Sequence, residues 1–245
     1  MALQQLSLFG LRYIREFVDT VSLEDAKKLS AAYSYVFIYS YTPTELPHFK
    51  IRMQPTPILK LDRPLPEIFG AFKKNTRNEI HKTERLPELE CKGPDRDVRA
   101  SYQLYAKIKR GDGVRPDIKR EFKHCLFFNA YWNKKLVVSV SCYDNGKYLR
   151  LKHIVSLRKE RGFDSRVAGY ATRRIIWDIC RWGNMSGRAW LDLGGINLAE
   201  KEKSGITAFK QSFGGEIVPM YIYRYETPAF ARIKKCINLL GYNLN

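Results

Sequence analysis

Three short stretches of this chain set reactive or ligand-grasping side chains beside glycines or other small residues. In Ser165-Arg166-Val167-Ala168-Gly169-Tyr170-Ala171 a basic residue precedes Gly169 and Ala171 with R-x-x-G-x-A spacing. At a helix start, small residues let a phosphate approach unpaired backbone N–H groups and the positive end of the helix dipole. Arg158, Lys159 and Arg161 lie just upstream and add charge. In Trp190-Leu191-Asp192-Leu193-Gly194-Gly195-Ile196 a carboxylate stands before two glycines, which permit close backbone approach. Asp192 there either binds an acceptor or serves as a general base, or else caps a turn. In the stretch from Gly205 to Glu216, Lys210 lies between Phe209 and Phe213. A lysine emerging from that face either steadies a phosphate or a developing oxyanion, or is simply solvated. His153 shares one strand face with Leu149, Leu151 and Val155. An imidazole so placed either takes a proton from an amine or packs as a core histidine.

The elements that must position these residues follow from hydrophobic periodicity. Leu3, Leu6, Phe9, Ile14, Phe17 and Val21 recur at helical spacing, which predicts an amphipathic helix over the first twenty residues. Residues 35–41 read as a strand, 46–57 as a proline-bearing loop, and 58–61 as the end of a short strand. Pro66 opens a basic helix predicted to run to residue 85, where Pro87 stops it. A strand over 89–92, a helix over 96–109 and a helical stretch over 116–125 follow. The stretches 126–131, 136–143 and 148–157, joined by short polar turns, predict an antiparallel meander. A helix over 165–182, a strand over 188–193, a helix over 201–212, a strand over 216–225 and a helix over 228–240 complete the chain. The fold class this implies is α/β (α+β): a mixed, mostly antiparallel sheet flanked by helices. Residues 1–57 read as an N-terminal helix-and-strand extension packed on a main domain of 58–245.

Composition narrows the function classes. The 245 residues include 43 Lys and Arg against 25 Asp and Glu, a formal net charge of +18. Such a chain attracts polyanions or phosphate-bearing ligands, although charge alone names none. Five scattered cysteines without a C-x-x-C pair, and four histidines without a close cluster, argue against a disulfide framework and against a zinc site. No apolar stretch is long enough to span a membrane, and the first residues lack the pattern of a secretory leader. A cytoplasmic location is the expectation.

The motifs resemble those of the GNAT acyltransferases. The R-x-x-G-x-A stretch is similar to that superfamily's pyrophosphate-binding loop, Q/R-x-x-G-x-G/A. The W-x-D-L-G-G-I stretch (190–196) and the later G-x-x-x-F-K-x-x-F-G-G-E stretch (205–216) resemble the Fem-type aminoacyltransferase signature in order and spacing. Lys74, Arg77 and Ile80 are similar to the basic helix that opens the same domain. The resemblance covers residues 58–240 and implies a GNAT-like sheet and an acyl-coenzyme A co-substrate. On this implication Arg158, Arg161, Arg166, Gly169, Tyr170 and Ala171 hold the carrier's phosphates. The strand through Val155 and Leu157 offers backbone groups to its pantetheine arm. Arg77, Gly194, Gly195 and Asn197 bind the acceptor, and Asp192, Lys210 and His153 are the catalytic candidates.

The reaction implied is direct N-acylation, of an acetyl group in the first instance. The acceptor would be an amine on an amino-sugar, a nucleotide- or lipid-linked sugar, or another cell-envelope precursor. No G-x-S-x-G nucleophile motif is present. Two alternatives remain at this stage: an aminoacyl-tRNA donor, whose backbone the +18 charge would bind, and a non-catalytic nucleic-acid-binding module. Phe230, Ile233 and Ile237, beside Arg232, Lys234 and Lys235, either pack the last helix against the domain or give it peripheral membrane contact.

Overall fold

A computed structural model describes residues 2–8, 10–95, 97–198 and 204–241. Among them, ten strands form one sheet in the order β1-β2-β3-β10-β4-β9-β8-β7-β6-β5. The first half of the chain contributes β1 (Ala2–Leu8), β2 (Leu11–Val18), α1 (Leu23–Ala32), β3 (Tyr35–Ser40), β4 (Lys50–Lys60), α2 (Leu65–Gly70), α3 (Lys74–Thr83), β5 (Leu89–Asp95) and α4 (Val98–Gly111). The second half contributes β6 (Leu126–Trp132), β7 (Lys135–Asp144), β8 (Tyr148–Ser156), α5 (Ser165–Met185), β9 (Trp190–Asp192), α6 (Ser204–Gln211), β10 (Glu216–Glu226) and α7 (Pro228–Leu239). The expected meander is β6-β7-β8, and the sheet is mixed and mostly antiparallel, as the sequence implied. Only β2–β3 and β8–β9 pair in parallel.

The main core lies between the β5–β9 half of the sheet and α5, where Ala171, Ile175, Ile176, Ile179 and Cys180 are fully buried. Apolar residues three and four apart give this helix the stripe that a sheet face requires. Asp164 caps its start and Gly187 (φ +70°) follows its end.

Four expectations need correction. Where a helix was expected over the first twenty residues, Ala2–Leu8 and Leu11–Val18 form a β-hairpin; Phe9 lies outside the described residues. Strand β2 is covered on both faces: Ile14 packs with Val36 and Ile38, while Tyr13 and Phe17 enter aromatic clusters on the other side. Burial on both faces erases the two-residue alternation that identifies a strand. Residues 46–57, expected as a loop, supply most of β4. Its Pro55 and Pro57 carbonyls accept from Ile196 (2.8 Å) and Leu193 (3.0 Å), on the side away from β10. A strand residue's N and C=O point the same way, so the missing proline N–H groups fall where the ladder with β10 does not need them.

The helix expected over 66–85 breaks between α2 and α3. Phe72 turns inward against Phe213 (5.2 Å) and Trp177 (5.8 Å), and Lys73 donates to the Ser212 carbonyl at 2.9 Å. Gly214 (φ +72°) packs so closely on the break that a Cβ would lie 2.6 Å from the Ala71 carbonyl oxygen. Finally, 116–125 holds only a single 3-10 turn, Lys119–Phe122, not an α-helix. Residues 201–203 of the next expected helix lie outside the described residues.

Candidate active site

Strands β8 and β9 run side by side for only three residues, Tyr148–Arg150 opposite Trp190–Asp192. Strand β8 then continues to Ser156 on its ladder with β7, so from Leu151 onward its other edge meets no strand among the described residues. The fork opens into a cleft of about 690 Å³. An unpaired strand edge presents N–H and C=O groups that an extended ligand arm can use.

Lys210 sits in the crotch of this fork. Gly194 turns the chain there with φ +78°, and a Cβ on it would lie 3.3 Å from Lys210 Nζ and 3.6 Å from the Leu151 carbonyl oxygen. The ammonium donates to the carbonyls of Gly194 (3.0 Å) and Gly195 (2.8 Å). It has three N–H groups, so one remains for a ligand. Burial, then the adjacent Arg150 charge, lowers the Lys210 pKa to about 8, with Asp192 opposing.

Asp192 lies fully buried behind the crotch. It accepts from the Tyr41 hydroxyl (2.8 Å), the Gly194 N–H (2.6 Å), the Thr56 hydroxyl and Arg150 Nη1. Arg150 in turn lines the cleft, with its guanidinium 4.1 Å from the Tyr39 ring centroid. Asp192 therefore reaches the cleft through Arg150 and the Gly194 turn.

His153 lies along the same cleft with a carboxylate partner. Its Nε2 is 2.9 Å from Asp117 Oδ2, and its ring clusters with those of Tyr105 (4.5 Å) and Phe122 (5.6 Å), which also touch each other (4.8 Å). Burial lowers the His153 pKa, and the hydrogen bond to Asp117 only partly opposes it. Burial also disfavours Asp117 ionisation, but the His153 hydrogen bond and the Lys152 charge outweigh it and hold this carboxyl well below the usual range. An ionised carboxylate only accepts, so His153 carries its proton on Nε2 and leaves Nδ1 as the basic nitrogen.

A bulge brings Lys152 to the same place. Ser141 opposes His153 and Cys142 opposes Leu151, so Lys152 is the extra residue of β8. Lys152 Nζ lies 2.8 Å from Glu121 Oε2 and 3.4 Å from Asp117 Oδ2. Arg15, from β2, lies 3.2 Å from Glu121 and also bonds the Tyr143 hydroxyl.

The start of α5 is exposed and flanks the cleft, which Gly169, Thr172 and Arg173 line from its second and third turns. Its first amides are not vacant, however: Asp164 Oδ1 accepts from the Arg166 N–H at 2.8 Å, and the Arg166 side chain pairs with the same carboxylate. The open β8 edge thus offers backbone groups to an extended arm, whereas at the Arg166 amide an incoming anion meets a carboxylate.

Of the residues read from sequence, Lys210, His153, Gly194, Gly195, Arg158 and Gly169 converge on the cleft. Val155, Leu157 and Ala171 have their side chains in the core, leaving only backbone toward a ligand. Tyr170 contacts Lys82, Arg161 and Arg166 are exposed, and Asn197 lines an adjoining groove of about 610 Å³ that shares Gly195. Arg77 bonds the Gly70 carbonyl (2.9 Å) and the Phe72 carbonyl, bracing the α2–α3 break. Sequence reading missed Arg15, Asp117, Glu121, Arg150 and Lys152. Lys152 next to His153 in an otherwise alternating strand was the available signal of a bulge.

No family model and no curated relative matches the sequence. Solved structures do resemble the fold. FemX superimposes with a TM-score of 0.59 at 11% identity, covering 94% of this chain and 83% of that one. The C-terminal DUF2156 domain of an Agrobacterium fabrum protein gives 0.56 at 10% identity, covering 92% and 82%. L-PGS from Bacillus licheniformis gives 0.55 at 12% identity, covering 98% and 86%. These structural neighbours are GNAT-fold proteins, and the sheet described here is GNAT-like, the fold that the sequence motifs implied.

Proposed function

We propose that the protein is an N-acyltransferase that moves an acyl group from a phosphate-bearing carrier to an amine in the β8–β9 fork. The observation that carries this reading is the meeting, in one cleft, of an open strand edge, the Lys210 ammonium and the His153–Asp117 pair. The carrier's arm lies along the unpaired edge of β8, with its acyl carbonyl at the crotch. The acceptor nitrogen attacks the carbonyl carbon; a C–N bond forms and the carbonyl oxygen takes up negative charge. Lys210 donates its remaining N–H to that oxygen. His153 Nδ1 takes the proton that the amine loses, and the carrier's C–S or C–O bond breaks as the carbonyl re-forms. Much of the acceleration comes from holding both partners in one fork. Asp192 is a positioning residue, fixing Arg150 and the Gly194 turn. An acetyl thioester of coenzyme A and an amino-sugar of the cell-envelope type are the first donor and acceptor to test.

A second donor is favoured by the Asp164 cap. A compact pyrophosphate competes with that carboxylate for the amide of Arg166, whereas the backbone of an aminoacyl-tRNA engages exposed cations such as Arg158 and Arg161 without it. A thermal-shift panel of coenzyme A, acetyl-coenzyme A, nucleotide sugars and charged tRNA separates the two. Saturable stabilisation by the thioester supports the first donor; salt-sensitive stabilisation by charged tRNA alone supports the second. Stabilisation by neither contradicts the acyltransferase reading.

A further inference from the structure

The N-terminal hairpin reaches into the catalytic cleft. Arg15 of β2 is 3% exposed, yet it lines the same cleft as His153. Between them lies a buried chain of charges: Arg15 to Glu121, Glu121 to Lys152, Lys152 to Asp117, Asp117 to His153. Two carboxylates and two cations sum to zero formal charge before His153 is counted. We propose that Arg15 is a positioning residue that balances this buried cluster, so that His153 remains an uncharged imidazole with Nδ1 available for a proton.

The argument is electrostatic. In a buried site, unscreened charges set protonation states, and an unbalanced carboxylate recruits a proton to the nearest base. The groups around His153 and the chain of charges leading to it come from several elements. Asp117 and Glu121 lie between α4 and β6, Lys152 is its neighbour on β8, and Tyr105 and Lys109 come from α4. Arg15 and Tyr13 come from β2, and Tyr143 from β7. Asp117 and Glu121 are the anions and Lys152 and Arg15 the cations of the ion-paired chain, with Lys109 a partly exposed cation outside it. Without Arg15 the inner cluster carries a net negative charge, and His153 is the group able to neutralise it. A protonated His153 donates from both nitrogens and accepts from neither. Residues 2–18 would thus tune the site chemically as well as extending its sheet.

The inference rests on His153 being the proton acceptor proposed above, but its test reads ring charge and needs no substrate. The whole chain is labelled with 15N-histidine, and its four imidazoles are titrated by NMR, with His153→Gln assigning the signal. In the parent protein, His153 holds its proton on Nε2 and titrates below the usual histidine midpoint of ~6.5. Arg15→Met raises the midpoint by ~0.5–1 pH unit, Arg15→Lys leaves it in place, and Glu121→Gln lowers it by a similar amount. The double variant Arg15→Met/Glu121→Gln removes one charge of each sign and returns the midpoint to the parent value. It also spares the fold an unpaired buried charge, so it gives a readout if either single variant fails to fold. Unmoved midpoints in the folded single variants, or a double variant that departs from the parent, overturn the proposal. An inactive enzyme with the expected titrations would fault the acyltransfer reading and leave the charge balance standing.

Discussion

Two buried carboxylates support the fork, Asp117 within the cleft and Asp192 behind its crotch, and they are held in opposite ways. Asp192 receives four donors, none of which titrates near neutrality: two hydroxyls, a guanidinium and a backbone amide. Asp117 receives a histidine and a lysine, and the histidine's second nitrogen stays basic. Saturation makes the first a fixed strut. The second is a relay, because its partner can change charge. A carboxylate's burial therefore says less about its role than the titration range of what it holds.

Substitutions at the two sites should separate strut from relay. The largest effect is expected at His153: His153→Ala removes the proton acceptor and slows transfer by ~10²–10⁴ with the fold retained, read as kcat in a steady-state assay. Asp192→Ala strands Arg150 in the interior and costs about 3–5 kcal/mol of stability, read by denaturant unfolding, whatever the assay reports. If Asp192→Ala unfolds normally while abolishing transfer, the strut assignment fails. Lys210→Met removes one oxyanion donor and lowers kcat by ~10²–10³.

The pH profile sharpens the contrast. The proposed mechanism requires neutral His153 and protonated Lys210, so kcat/KM is expected to rise with pH through a histidine midpoint below the usual value. It falls again near pH 8, as the Lys210 ammonium, depressed to about 8, loses its proton. Lys210→Arg should abolish the alkaline fall, since a guanidinium stays charged. An alkaline limb unchanged in that variant assigns it to another group. The smallest effect is expected at the rim: Gly169→Glu brings a carboxylate to the donor end, where its Cβ meets only Arg173 at 3.6 Å, and weakens donor binding by about tenfold.

The same contrast shows what the sequence made legible. The chain advertised the strut side: Asp192 with its two glycines and Lys210 between its two phenylalanines are contiguous motifs, and each lands at the fork. The relay was half visible. His153 stood out as an imidazole on an apolar strand, but its partner Asp117 lies 36 residues earlier in a stretch read as helix. Lys152 reached the cluster through a bulge, whose one trace in the sequence was a lysine beside a histidine in an otherwise alternating strand. Arg15 was hidden most completely, because a strand buried on both faces mimics helical spacing. The meander was readable because β-branched and aromatic runs are separated by short polar turns, and α5 because its apolar stripe recurs at helical spacing. Pro55 and Pro57 misled for the opposite reason: they sit within a strand, but on the side its ladder with β10 does not use.

The most direct test is single-turnover acyl transfer at pH 7.5, with labelled acetyl-coenzyme A or charged tRNA as donor and a panel of amino-sugars and envelope-precursor amines as acceptors. The parent protein should pass label to an amine nitrogen from one of these donors, and Lys210→Met should do so at least ~10²-fold more slowly while still binding that donor. Equal rates in parent and variant, or a parent protein that binds neither donor, would contradict the account.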